Sequence, residues 1–177
     1  MGGVSDDQAE RIARAKAGDA RAFEELLAPL VGPAFRLAMT MLNDRGAAED
    51  AVQESALKAW RHLGQFRSGS SLRAWVLTIV ANECRSVRRA RWWQVQRLAE
   101  IVRRPERDDR WADRMDLDAA LDRLPQHHIA ILSLYYHLDL PIDEVARVLG
   151  CSEGAARQRI HRALAALRPV MTLETNG

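Results

Sequence analysis

The stretch Pro141–Arg168, PIDEVARVLGCSEGAARQRIHRALAALR, predicts two short helices joined by a tight turn. Apolar residues recur at helical spacing in its first half, at Ile142, Val145, Ala146 and Leu149. We expect Gly150 to end this helix, because glycine adopts the left-handed conformation at no steric cost. Ser152 can cap the second helix, whose inward face is formed by Ala156, Ile160, Ala163, Leu164 and Leu167.

The opposite face of the second helix carries cationic and amide side chains, at Arg157, Gln158, His161 and Arg162. Helix-turn-helix proteins present such a helix to the major groove of DNA. An ordinary helical hairpin with a solvated basic face is the alternative. The pattern favours a helix that reads duplex DNA.

Positive charge is concentrated in the middle of the chain. Residues 61–107 carry 11 basic and 3 acidic side chains, although the whole chain of 177 residues has a net charge of only +2. Nearly every basic residue is an arginine, whose guanidinium contacts phosphate or guanine through two parallel hydrogen bonds. The block therefore indicates a local surface that binds a polyanion.

Other classes of protein find little support in the sequence. Cys84 and Cys151 lack a CxxC partner, so we expect reduced, packed side chains. The histidines at positions 127, 128 and 137 are too few for a metal site, and no catalytic constellation is present. No apolar run of membrane-spanning length is evident. We expect a cytoplasmic protein without catalytic activity, cofactor, metal, small-molecule substrate or membrane insertion.

Helical spacing also dominates the first half of the chain. Helices are predicted from Ser5 and from the cap residue Asp19, and Pro29 and Pro33 are expected to interrupt the latter, so that a separate helix follows. In the helix Ala47–Leu63, the predicted core residues are Val52, Ala56, Trp60 and Leu63. Its other side carries Asp50, Gln53, Glu54, Lys58 and Arg61, which are either solvated or a docking site for a basic partner.

A polar loop at residues 64–71 precedes a long basic helix capped by Ser71. Leu72, Trp75, Val76 and Ile79 are predicted to face inward, and Thr78, Asn82, Arg85 and Arg89 to form an outward stripe. Such a stripe beside a polar loop suits unstacked bases and a sugar-phosphate backbone. A basic surface helix with core tryptophans is the alternative.

The helical pattern decays at about Trp92 and resumes at Asp116. We predict an all-α fold of two small helical domains joined by a flexible linker. The domains are residues 5–91 and 116–168, the linker is 92–115 and the tail is 169–177. If extended, the linker reaches roughly 80 Å.

The order of these segments closely resembles the extracytoplasmic-function (ECF) sigma factors of bacterial RNA polymerase, within the sigma-70 family. The matching stretches are AAEDAVQESALKAWRHL, FRSGSSLRAWVLTIVANECRSVRR and LDRLPQHHIAILSLYYHLDLPIDEVARVLGCSEGAARQRIHRALAALR. The resemblance implies an alternative sigma factor that directs core RNA polymerase to specific promoters, with promoter DNA and an anti-sigma factor as further partners.

The resemblance implies a role for each region. The polymerase contacts are the clamp helices of the largest subunit and the flap region, with the docking segment at Asp50, Gln53, Glu54, Leu57 and Lys58. Melting of the minus-ten element is assigned to Phe66, Arg67, Ser68, Ser71, Thr78, Asn82, Arg85, Ser86, Arg88 and Arg89. Within this set, Asn82 reads an extruded base, the loop walls the pocket, and the arginines hold phosphates. Reading of the minus-thirty-five duplex is assigned to Ser152, Glu153, Arg157, Gln158, Arg159, His161 and Arg162.

Two alternatives stay open. A stand-alone helix-turn-helix regulator accounts for Pro141–Arg168 but leaves the acidic helix and the Asn82 stripe without a use. A sigma-like decoy that binds only an anti-sigma factor has no need for Asn82 or for the arginines of the recognition helix.

Overall fold

The computed structural model describes residues 6–67, 69–98 and 126–173, and all of its regular elements in these ranges are helical. The prediction of an all-α fold is therefore confirmed. The α-helices are α1 (Asp6–Lys16), α2 (Ala20–Leu42), α3 (Arg45–His62), α4 (Leu72–Leu98), α5 (Gln126–Leu132), α6 (Ile142–Leu149) and α7 (Glu153–Leu173). A 3-10 turn, Leu63–Gln65, follows α3, and a π-helical turn, Ser133–His137, follows α5.

Helix α2 runs without a break through Pro29 and Pro33, so the prediction of two separate helices was wrong. Each proline removes one hydrogen bond of the helix interior. The carbonyls left without these donors belong to Glu25 and Pro29, which are exposed, so water can satisfy them. The predicted cap is confirmed, since the Asp19 carboxylate accepts the N–H of Ala22 at 3.0 Å.

The length of α2 also corrects a second expectation. Its 23 residues are long and apolar enough to cross a membrane by length and composition. The same apolar residues, however, pack in the protein core, among them Phe23, Leu26, Leu37 and Met41. Core packing therefore accounts for the composition of this helix.

Helices α2, α3 and α4 pack against one another, and α1 lies against α2. The centre of the buried face of α3 is formed by Ala48, Ala51, Ser55 and Ala59. The predicted Val52, Ala56 and Trp60 are only half-buried and flank that centre, whereas Leu63 is buried as predicted. Small side chains at the centre allow the helix backbones to approach closely, and the larger residues then seal the edges.

In α4, too, the centre of the buried face is formed by residues other than those predicted. Leu72 and Val76 are buried as predicted, but Trp75 and Ile79 are half-buried and the centre of the face is Leu77, Val80, Ala81 and Cys84. The helix continues to Leu98, so the first seven residues of the predicted linker are helical. Between Leu72 and Pro105 the sequence has no glycine or proline to end it.

Helices α5, α6 and α7 pack together and against the first half of the chain: α6 lies on α4, and α5 lies on α2. Buried residues of both halves form one hydrophobic cluster, with Leu77 and Val80 on one side and Leu134, Val145 and Val148 on the other. Helix α7 extends to Leu173, so the predicted tail begins as helix. The remaining linker and the helix predicted from Asp116 lie outside the described residues.

Asp44 ties the start of α3 to α4. Its carboxylate accepts the N–H of Ala47 at 2.9 Å and a hydrogen bond from Arg91 Nη2 at 2.8 Å. The bond from Ala47, and then the one from Arg91, hold the pKa of this carboxyl below its ordinary value of 3.8. The folded state therefore favours the carboxylate. This contribution to stability is present above the ordinary pKa and is lost as the pH falls through the lowered one.

We predict that Asp44→Ala lowers the free energy of unfolding at neutral pH by about 1 kcal/mol, because the α3 cap is lost. Asp44→Asn keeps a capping oxygen but loses the charge. Its deficit relative to the native protein should therefore shrink at about pH 3, where the carboxyl of the unfolded state is protonated. Urea denaturation at both pH values measures this, and a deficit of Asp44→Asn that is independent of pH would contradict it.

Candidate nucleic-acid interface

The predicted stripe on α4 is present. Asn82 and Arg89 are exposed, and Thr78 and Arg85 are half-buried beside them. The Nη1 group of Arg85 donates to the side-chain oxygen of Asn82, which fixes the orientation of the amide. The Thr78 hydroxyl donates to the Ala74 carbonyl at 2.7 Å. Ser86 and Arg88 are also exposed on this helix, so the surface combines one oriented amide with several guanidinium groups.

The loop before α4 is fixed by its own hydrogen bonds. Ser71 caps α4, since its Oγ accepts the Ala74 N–H at 3.1 Å. The Ser70 N–H donates to the carbonyl of Arg67, which is exposed, at 3.2 Å, and Gly69 between them has φ +91°. This left-handed conformation favours glycine. Ser68 lies outside the described residues.

Phe66 does not line an open pocket. Its ring is buried and packs against Trp75, with the ring centroids 5.3 Å apart. The ring would have to leave the core to touch a base. The resemblance places Phe66 in the loop that walls the minus-ten pocket. In this structure its ring anchors that loop to α4, and a role of Phe66 at the minus-ten element stays a prediction. A residue absent from the prediction, Lys16 of α1, also holds the loop, because its Nζ donates to the Phe66 carbonyl at 2.6 Å. No local pattern relates residues 50 positions apart.

Arg85 also contacts the helix-turn-helix. Its Nη2 group donates to the Val148 carbonyl of α6 at 2.7 Å. Burial lowers the pKa of this guanidinium, and the positive charges of Arg89 and Arg159 lower it further. Cations of α4 and α7 therefore lie near one another at this junction. In this arrangement, α6 covers part of the surface predicted to bind the minus-ten element.

The residues predicted to dock on the polymerase lie on α3 and differ in exposure. Asp50 and Gln53 are exposed, and Leu57 has 51% of its surface accessible among these polar groups. An exposed leucine within a polar ring suits a protein partner. Glu54 is half-buried, and Lys58 pairs with Glu83 of α4 and lies 3.8 Å from Glu54. Lys58 therefore links α3 to α4.

The turn before α7 has the predicted chemistry. Gly150 adopts φ +64° at the end of α6, and Ser152 Oγ accepts the Ala155 N–H at 3.2 Å. The outward face of α7 exposes Gln158, Arg159, His161 and Arg162. Arg157 is also exposed and pairs with Glu153 at 3.3 Å.

Two of these side chains have a second environment. Arg157 and His161 line a groove of about 400 Å³ together with Tyr135, Tyr136, Ile142, Ile160 and Leu164. Tyr136, at the edge of this groove, is 59% exposed. Arg157 thus borders an aromatic groove as well as the recognition face.

The described residues hold no group of three or more histidine, cysteine, aspartate or glutamate side chains suited to a metal ion. Burial raises the pKa of the Cys84 thiol to about 11, so this side chain stays protonated. Cys151 is half-buried in the turn, and both cysteines are free thiols. This chemistry suits structural cysteines rather than nucleophiles.

Comparison with known proteins gives matches along most of the chain. The family Sigma-70 region 2 matches residues 25–94, and the family Sigma-70, region 4 matches residues 114–167. The ECF RNA polymerase sigma factor SigL of Mycobacterium tuberculosis is 30% identical over 94% of this chain and 97% of its own length. SigM of the same organism is 31% identical over 96% and 87%.

Solved structures agree. The sigma factor RpoE of Bartonella quintana, in complex with the anti-sigma factor NepR, superposes with a TM-score of 0.73 at 25% identity, over 86% of this chain and 98% of that one. CnrH, in complex with the cytosolic domain of CnrY, superposes with a TM-score of 0.69 at 25% identity, over 97% and 100%. With both sigma regions present in order and relatives similar over nearly their full length, this chain belongs to the ECF RNA polymerase sigma factors of the sigma-70 family.

Proposed function

We propose that this chain, acting in the cytoplasm, binds core RNA polymerase and directs it to promoters through two separate DNA contacts. The observation that supports this most is the combination of three surfaces in one chain. These are the polar ring around Leu57 on α3, the amide and arginine stripe on α4, and the exposed arginines of α7. Polymerisation chemistry belongs to the polymerase, and the chain itself supplies specificity without catalysis.

The first DNA contact is the minus-ten element. The Asn82 amide can both donate to and accept from the edge of an unstacked base. Arg85, Arg88 and Arg89 follow it along α4 and can hold the phosphates of the displaced strand. The loop at Arg67–Ser71, hydrogen-bonded to itself and to α4, borders the pocket for that base.

The second contact is the minus-thirty-five element. Gln158, Arg159, His161 and Arg162 are exposed on one side of α7, whose opposite side is buried through Ala156, Ile160 and Ala163. The Ser152 cap begins the helix. The geometry is that of a recognition helix whose first turns enter the major groove. We assign Arg157 to this DNA contact as well, and its side chain also lines the aromatic groove.

Docking on the polymerase is assigned to α3, where Asp50, Gln53 and Glu54 surround Leu57. The carboxylates and the amide can pair with the basic surface of the clamp helices, and Leu57 supplies apolar contact. The Lys58–Glu83 pair connects this docking surface directly to the helix that carries Asn82.

Promoter binding requires the two halves to separate. The two elements lie about 25 base pairs apart, which is roughly 85 Å of DNA. In this structure, which we call the closed arrangement, the Arg85 side chain on α4 donates to the backbone of α6. The 17 residues between α4 and the second helical domain predicted from Asp116, residues 99–115, reach roughly 60 Å if extended, and the 27-residue α4 adds about 40 Å along its axis. The chain is therefore long enough for α6 and α7 to bind upstream while α4 stays at the minus-ten element.

An anti-sigma factor is the proposed regulatory partner. RpoE and CnrH, which superpose on this chain across both halves, are each in complex with another protein, and for RpoE that protein is an anti-sigma factor. A partner that binds only the closed arrangement withdraws the chain from promoters by mass action.

We predict that core RNA polymerase with this protein starts transcription at a defined subset of promoters in a library, whereas core polymerase alone does not. Run-off transcription with sequencing of the products measures this. Tight binding of the isolated protein to a duplex operator, without stimulation of core polymerase, would contradict the proposal and favour a stand-alone regulator.

We predict separable effects for the two DNA contacts. Asn82→Ala should weaken strand opening with little change in duplex binding, because it removes only the base-reading amide. Arg162→Ala should cost about 1–3 kcal/mol of binding and relax the preference at one minus-thirty-five position. Permanganate reactivity and a promoter-variant assay on the holoenzyme measure the two effects. Indistinguishable profiles for the two variants would contradict the assignment.

We also predict that the halves move apart on the promoter. Fluorescent labels at Ala28→Cys on α2 and Arg147→Cys on α6, in a Cys151→Ser background, should show efficient energy transfer in the free protein. Transfer should fall strongly in the complex with core polymerase and promoter DNA. Labels at Ala17→Cys and Ala28→Cys, both in the first half, are the control that should not change. Unchanged transfer between the halves would contradict the opening.

A further inference from the structure

The loop at residues 66–71 is contacted at Phe66 by a charged side chain from a distant part of the chain. Lys16, in the last turn of α1, donates from Nζ to the Phe66 carbonyl at 2.6 Å, and the same ammonium lies 5.9 Å from the centroid of the Phe66 ring. The ammonium therefore contacts both the backbone and the side chain of the residue at which the loop begins.

These two contacts differ in kind from the rest of the loop. A hydrogen bond from an ammonium is stronger than one between neutral groups, and a cation within about 6 Å of an aromatic centroid is attracted to its face. In the described part of the loop, the other hydrogen bonds join near neighbours: Phe66 N–H to Leu63 carbonyl, Ser70 N–H to Arg67 carbonyl, and Ala74 N–H to Ser71 Oγ. Local bonds shape the loop, and Lys16 fixes it relative to α1.

The position of Phe66 makes this tether consequential. Its ring is wedged against Trp75 on α4, and its carbonyl is held from the α1 side. Phe66 is thereby fixed between α1 and α4. The residues that follow it, beginning with the exposed Arg67, are thus placed over the start of α4 by a residue in α1.

We propose that Lys16 is a positioning residue for the minus-ten pocket: it holds the loop at Phe66 so that Arg67 and residues 69–71 meet the base beside Asn82. This inference rests on the proposed role of the loop in promoter melting. Lys16 itself lies outside residues 25–94, which the region 2 family matches, so that match assigns it no role. It makes no contact with DNA in this proposal.

The test compares Lys16→Met with Lys16→Arg and with Arg21→Met. Methionine keeps an unbranched chain and a good helix former but removes the cation, whereas arginine restores a donor. Arg21 is the matched control, because it sits at the start of α2 with its side chain 85% exposed and contacts Glu25 at 3.5 Å, away from the loop. Arg21→Met therefore removes the same charge without releasing Phe66.

The first readout is amide hydrogen exchange in the free full-length protein. Lys16→Met should speed exchange in the peptide that covers residues 64–71 by about tenfold, with the helices unchanged, because the loop then opens locally. Lys16→Arg should stay within about twofold of the native protein, and Arg21→Met should match it. Equal exchange in Lys16→Met and the native protein would overturn the tether, whatever the chain does on promoters.

The second readout is transcription by the reconstituted holoenzyme. Lys16→Met should lower permanganate reactivity at the minus-ten element by about tenfold and broaden base preference there. Preference at the minus-thirty-five element and affinity for core polymerase should not change. Equal losses in Lys16→Met and Arg21→Met would overturn the proposal in favour of a general charge effect. Failure of the native holoenzyme to melt any promoter, with loop exchange as expected, would instead overturn the proposed function and with it the role of the tether in melting.

Discussion

The guanidinium of Arg85 joins the two halves of this protein. Most of the functional surface depends on which partner this guanidinium binds. In the closed arrangement it donates to the Asn82 side chain and to the Val148 backbone, so one cation connects the melting stripe to the helix-turn-helix. A carbonyl is a weaker partner for a guanidinium than a phosphate, with which it forms charge-assisted bidentate bonds. A DNA strand bound along α4, as proposed above, would therefore compete with α6 for the same group.

The first half of the chain is built to move as one unit. The contact between α3 and α4 has small residues at its centre. It also includes the Lys58–Glu83 pair and, at the far end, the Asp44–Arg91 pair. If the polymerase docks on α3 as proposed, it positions Asn82 without an intervening hinge. The proposed rearrangement falls between the two halves, where the Arg85–Val148 hydrogen bond and apolar packing join α6 to α4, and where α5 packs on α2.

Much of this could be predicted from sequence, because the decisive signals are local. Helical spacing, Gly150, and the caps Asp19, Ser71 and Ser152 each act within a few residues, and the structure bears them out. The errors have physical causes. Pro29 and Pro33 are tolerated because packing outweighs two lost hydrogen bonds, and α4 outlasts its apolar period because nothing ends it. The resemblance places Phe66 in the minus-ten loop but does not report that its ring is buried against Trp75 of α4. Contacts such as Lys16–Phe66 and Arg85–Val148 join residues 50 and 63 positions apart, and no periodicity reports them.

The charges where the two halves meet also limit how strongly the closed arrangement is favoured in free energy over the open one. Burial disfavours the charged form of Arg85. Closing the halves also brings Arg159 of α7 near Arg85, whereas Arg89 lies beside Arg85 on α4 in either arrangement. Each of these groups lies on a surface proposed to face DNA. The same arginines that oppose closure therefore favour the open form once phosphates are present. A ligand shifts such an equilibrium only by its differential affinity for the two forms. Promoter DNA binds the open form more tightly, because the two surfaces that it contacts must lie apart. A partner protein binds the closed form more tightly when it recognises a surface that only the closed form presents.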